Sequence, residues 1–129
     1  MPIKCLLISK NVLLLDSINH FITKTYFLEV FDEEDKDCLE ELYPMLMFFD
    51  LDSFKLGKQG IMKLLSLKLL PVFISSIYSR QFISTWLSLN NEKIGYLKKN
   101  SNYKDFLEEI SRVVDNSGKN GQIDHPDSE

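Results

Sequence analysis

Two carboxylates, Asp50 and Asp52, close the apolar run "LMFFDLDSF" at residues 46 to 54. A stretch built for burial ends this way either because its strand has reached water or because its tip needs negative charge. Three other apolar runs also end in polar side chains. Ser9 and Lys10 follow "KCLLI", Ser75 and Ser76 follow "PVFI", and Lys98 and Lys99 follow "IGYL". A carboxylate, a hydroxyl and a lysine gathered in one crevice can hold a phosphoryl group. The carboxylate carries it, while the hydroxyl and the ammonium neutralise its oxygens. The plainer alternative is that each strand simply ends at the surface and polar residues follow.

The elements that position these residues are legible from periodicity. "KCLLIS" (4–9), "YFLEVF" (26–31), "MLMFF" (45–49), "PVFIS" (71–75) and "IGYLK" (94–98) are expected strands. Between them, Leu14, Leu15, Ile18, Phe21 and Ile22 recur at helical spacing. "EEDKDCLEEL" (33–42) predicts an acidic helix, "IMKLLSL" (61–67) a short one after a loop carrying Gly57 and Gly60, and "RQFISTWLSL" (80–89) another. A last helix, "NYKDFLEEISRVV" (102–114), gathers Tyr103, Phe106, Leu107, Ile110, Val113 and Val114 on one face, with Asn102 or Ser101 to cap it. Strands 1, 3, 4 and 5 lack polar alternation, as expected of a parallel sheet covered on both faces. Strand 2 alternates more and suits an edge. The expected fold is therefore α/β: a flavodoxin-like (βα)5 doubly wound parallel sheet with strand order 2-1-3-4-5. In such sheets ligands sit beyond the carboxyl ends of the strands, near the switch between strands 1 and 3.

The 129 residues suit one domain over residues 1–115, with the polar stretch 116–129 expected to be a disordered tail or linker. A net charge of −4 and a pI near 5.2 argue against direct nucleic-acid binding by this domain. No apolar run is long enough to span a membrane, and the start has too short an apolar stretch for a signal peptide. Cys5 and Cys38 are too few for a disulfide framework, and Cys5 is expected in the core. A soluble cytoplasmic domain is the expectation.

The order and spacing of "YPMLMFFDLDSF", "GIMKLL", "LPVFISS" and "GYLKKNSNYKDFLEEISRVV" resemble a response-regulator receiver domain. The last stretch is most similar to the LuxR/NarL class, and the likeness runs over residues 3 to 114. It implies that Asp50 holds the phosphoacceptor position, with Asp52 as the alternative. It also implies that Asp52 marks the residue whose carbonyl completes a metal shell. Ser76 matches the switch hydroxyl, with Ser75 the alternative register. Lys99 matches the family's lysine, Tyr96 the switch aromatic, and Gly60 the opening of the third helix.

The departures from that pattern bear on the chemistry. Ser9 and Lys10 stand where receivers carry the two acids that hold magnesium, so Mg2+ binding is expected to be weak or absent. A lysine as a point charge cannot organise an octahedral shell, but it can pair with Asp50. The expectation is an ion pair of Asp50 with Lys10 and Lys99. Ser53-Phe54 replaces the usual Met-Pro, the loop from Asp50 to Gly60 is longer than the family norm, and Ile77 is expected to crowd the phosphoryl space beside Ser76.

The resemblance thus implies an atypical receiver: a non-enzymatic signalling and dimerisation module, independent of phosphorylation. A homodimer through the helix 4–helix 5 face near Trp86 is expected. So is an attached or partner LuxR/NarL-type helix-turn-helix output, while no histidine kinase can be named. The alternatives are a conventional receiver phosphorylated at Asp50 and an unrelated flavodoxin-like enzyme. Against the latter, the first turn, "SKNVLL", has no glycine loop to cradle a phosphate, and neither His20 nor His125 is placed for catalysis.

Overall fold

Apolar runs with no polar face must find cover on both sides, and here they do so as parallel strands between helices. The computed structural model describes residues 2–32, 34–35, 45–55, 57–65, 69–89 and 94–121. Its strands are β1 (Ile3–Ile8), β2 (Leu28–Val30), β3 (Leu46–Asp50), β4 (Leu70–Ile74) and β5 (Gly95–Leu97). They form one sheet in the order β2-β1-β3-β4-β5 with every pair parallel, which is the expected topology. The register sets Ile8 beside Phe49, Asp50 beside Ile74, and Ile74 beside Leu97. The tips of β1, β3, β4 and β5 therefore end at one level, beside one another.

Four helices are described: α1 (Val12–Lys24), α2 (Lys58–Leu65), α3 (Arg80–Leu87) and α4 (Tyr103–Gly121). Side chains cap three of them. Asn11 accepts from the Leu14 N–H, Ser79 from the Phe82 N–H, and Asn102 from the Asp105 N–H at 2.8 Å. The expected acidic helix at 33–42 lies largely outside the described residues. Two boundaries differ from expectation. α2 begins at Lys58, so Gly60 sits inside its first turn instead of opening it. α4 continues to Gly121, past the expected start of the tail at residue 116. Polar composition says that these residues bury little; it does not stop a helix, whose extension costs little once nucleated. Residues 122–129 lie outside the described residues.

Successive side chains of a strand point to opposite faces, which splits the core in two. Leu46, Phe48, Val72 and Ile74 pack with Leu14, Ile18 and Ile22 of α1 and with Phe106, Ile110 and Val113 of α4. Met47, Phe49 and Phe73 pack on the other face with Ile61 of α2 and with Ile83 and Leu87 of α3. Cys5 is fully buried in the first cluster, as expected, and burial raises its thiol pKa to about 12. Gly95 lets α4 come close to the sheet. A Cβ there would stand 2.9 Å from a Val72 methyl and 3.0 Å from a Val113 methyl.

Candidate functional site

Asp50 is the last residue of β3 and has no solvent exposure. A carboxylate so placed needs donors. Its Oδ2 accepts from the Ser9 hydroxyl at 2.7 Å and from the Ser53 hydroxyl at 2.6 Å. Its Oδ1 accepts from the Asp52 backbone N–H at 3.1 Å and faces the Lys99 ammonium at 3.4 Å. The two serines also bind the β1–α1 loop: Ser9 Oγ accepts from the Asn11 N–H, and Ser53 Oγ from the Lys10 N–H, both at 2.9 Å.

Lys10 does not join this cluster. The expected pairing with Asp50 is corrected: the Lys10 ammonium lies over the Phe54 ring, 5.1 Å from its centroid. The residue reaches the site only through its backbone. Ser9 and Ser53 already cover the outer oxygen of Asp50, and the Phe54 face offers the ammonium a contact that leaves it hydrated.

A single 3-10 turn, Leu51–Ser53, follows β3 and swings Asp52 inward, toward β4 and β5. Asp52 Oδ1 accepts from the Ser75 hydroxyl at 2.7 Å. Its Oδ2 accepts from the Ser76 N–H at 2.7 Å and the Ser76 hydroxyl at 2.8 Å, and it pairs with Lys99 at 3.2 Å. Both candidate switch hydroxyls therefore hold Asp52. Burial opposes the charge on Asp52, yet the Ser76 N–H, the two hydroxyls and Lys99 outweigh it and hold the carboxyl at about 2. Burial likewise pulls Lys99 down, and Asp52 and Asp50 more than reverse that, so its pKa is raised. Ile77, expected to crowd this space, is 70% exposed. The space beside Ser76 is taken by the Asp52 carboxylate instead.

Tyr96, on β5, sits behind the same loop. Its hydroxyl donates to the Tyr78 carbonyl at 2.7 Å, while the Arg80 guanidinium lies over its ring, 5.8 Å from the centroid. Burial, followed by the nearby Asp52 charge, raises its pKa. The Tyr96 N–H donates to Glu109 of α4 at 2.8 Å. Sequence reasoning missed Glu109. Arg80 of α3 and Arg112 of α4 grip the same Glu109 oxygen at 2.7 and 2.8 Å, so one carboxylate ties α3, β5 and α4 together. The only signal in the sequence was an acid within the last helix, three residues from an arginine.

The resemblance implies a magnesium ion at Asp50, and the donor set does not fit one. Magnesium takes anionic oxygens in octahedral geometry. Here one oxygen of Asp50 faces two hydroxyl donors, the other faces an ammonium, and both Asp52 oxygens are taken by serines and Lys99. Among the described residues no group of three His, Cys, Asp or Glu side chains converges as a metal would require.

Solved structures of the same fold include receiver domains of response regulators. The signal receiver domain of a Luxo repressor protein from Vibrio parahaemolyticus superposes with a TM-score of 0.66 at 12% identity, covering 97% of this chain and 100% of that one. A response regulator from Thermotoga maritima gives 0.65 at 11% identity, over 89% and 99% of the two chains. The receiver domain of the response regulator NarL from Mycobacterium tuberculosis gives 0.61 at 14%, over 91% and 98%. No family model matches the chain, and no curated protein matches it in sequence. This chain has the receiver fold. Among the described residues no helix is long and apolar enough to cross a membrane.

Proposed function

We propose that this chain is an atypical receiver: a signalling module held in one state by its own Asp52 instead of by a phosphoryl group. The observation that carries this reading is the set of donors on Asp52. The Ser75 hydroxyl, the Ser76 N–H and hydroxyl, and the Lys99 ammonium are the groups that would neutralise an incoming anion, and an internal carboxylate engages all of them. Asp50 is capped by Ser9 and Ser53, so its attacking oxygen is screened. The module catalyses no reaction of its own. Its output passes by contact, and the Glu109 junction supports the α3–β5–α4 face as the route. Homodimerisation through that face, and control of an attached or partner helix-turn-helix domain, complete the proposal.

Incubation with acetyl phosphate and magnesium, followed by intact mass, tests it. Wild type is expected to show no adduct. Lys10→Asp is expected to show none either, since it leaves both caps on Asp50 in place. Asp52→Ala, which frees Ser76 and Lys99, is expected to bind inorganic phosphate, seen as shifts of the Ser76 and Lys99 amide resonances that wild type lacks. A stoichiometric wild-type adduct, lost in Asp50→Asn, would make this a conventional phosphorylation switch.

A further inference from the structure

Charge is unevenly spread along this chain. Residues 53 to 91 hold five cations (Lys55, Lys58, Lys63, Lys68 and Arg80) and not one Asp or Glu, so the remainder carries −9 against the chain's net −4. That block supplies the loop after β3 together with α2 and α3, and an apolar groove of about 440 Å³ lies there. Its walls include Phe54, Ile61, Tyr78, Phe82 and Trp86, with Lys55 beside them and, among the described residues, no carboxylate in its lining. Of the two acids that flank the block, Asp52 is turned inward onto Lys99, and Glu92 lies outside the described residues.

Tyr78, Phe82 and Trp86 follow one another at helical spacing and stack, with centroids 5.1 and 6.1 Å apart and planes 15° and 22° from parallel. Phe82 is nevertheless 48% exposed and Tyr78 40%. Exposed aromatic rings in a groove whose described lining holds a lysine and no carboxylate are suited to apolar anchors framed by negative charge. Single-stranded nucleic acid would need free ring faces on which to stack its bases. Here Phe82 already stacks on Tyr78 and Trp86, and a phosphate backbone leaving the groove would meet the acidic remainder of the chain.

We propose that the groove between the β3–α2 loop and α3 docks an acidic amphipathic helix of a partner protein. Two or three apolar side chains of that helix fill the pocket walled by Phe82, Trp86 and Ile61, and its carboxylates face Lys55, Lys58 and Lys10. This surface is distinct from the α3–α4 junction at Glu109.

Trp86 is the chain's sole tryptophan and reports directly on the groove. The probe is a helical peptide of about 16 residues with leucines at i, i+4 and i+7 and glutamates elsewhere. Its control replaces every glutamate with lysine, and a labelled oligothymidylate serves as a third ligand. The acidic peptide is expected to shift Trp86 emission saturably and to bind several-fold more weakly as salt rises from about 50 to 300 mM. Affinity should fall at least about tenfold in Phe82→Ala and in Lys55→Glu. Both residues are exposed, and unchanged circular dichroism will confirm that the variants fold. Equal binding of the lysine peptide, tighter binding of the oligonucleotide, or no binding of the acidic peptide overturns the proposal. So does a wild-type dimer in sedimentation that Phe82→Ala dissolves, because a second copy would then cover the groove.

Discussion

Asp50 and Asp52 stand two residues apart and meet different partners. Asp50 lies fully buried under two hydroxyls, whereas Asp52 takes two hydroxyls, a backbone N–H and the closer approach of Lys99. The Asp52 carboxyl is held at about 2, below its usual value near 4. A depressed carboxyl pKa contributes stability that is complete above the unfolded value and is lost as pH falls through the folded one. Wild type should therefore lose stability between about pH 4 and pH 2 on this account. Asp52→Asn should show a flatter profile over that window in urea unfolding. At neutral pH the same variant should cost about 1–3 kcal/mol, because Lys99 and the Ser76 N–H lose their charged acceptor. An unchanged acid profile would mean that the donors on Asp52 do not favour its charge.

At the scale of elements, the close approach of α4 to β5 rests on an absent side chain. A Cβ on Gly95 would press on methyls of Val72 and Val113, and both valines are β-branched and stiff. Gly95→Ala is expected to cost about 1–3 kcal/mol, read as a lower urea midpoint with an unchanged slope. The β5 strand ends two residues before Lys99, so the same displacement should weaken the Lys99 contact with Asp52. Its signature would be an Asp52 carboxyl titrating closer to the ordinary range by NMR. A destabilised variant with an unmoved Asp52 titration would show that the helix packs independently of the strand tips.

For the whole molecule, Phe106 joins the layers on one face. It is fully buried, stacks on Phe48 of β3 with centroids 5.7 Å apart, and meets Phe21 of α1 at 5.2 Å. Phe106→Ala would leave a cavity touching the sheet and two helices at once. It should cost about 3–5 kcal/mol, a large share of the 5–15 typical of a domain. A loss below about 1 kcal/mol in urea unfolding would mean that the surrounding helices close the gap.

The fold was legible because it depends on pattern. Runs such as "MLMFF" and "PVFI" have no polar face, and parallel pairing between helix layers is the simplest cover for such strands. The residues of the site were legible too, since Ser9, Asp50, Asp52, Ser75, Ser76, Tyr96 and Lys99 all stand at or next to the strand tips. Their partners were not. Lys10 looked like the natural counter-ion of Asp50, yet the backbone turns its ammonium onto Phe54 while Ser9 and Ser53 cap the carboxylate. Asp52 turns toward β4 and β5 because one 3-10 turn follows β3. Glu109 became a junction because α4 packs across β5. Spacing along a strand determines which residues reach its tip. Which donor then meets which carboxylate depends on loop path and on competition among neighbours a few ångströms apart, and only the tertiary structure decides that.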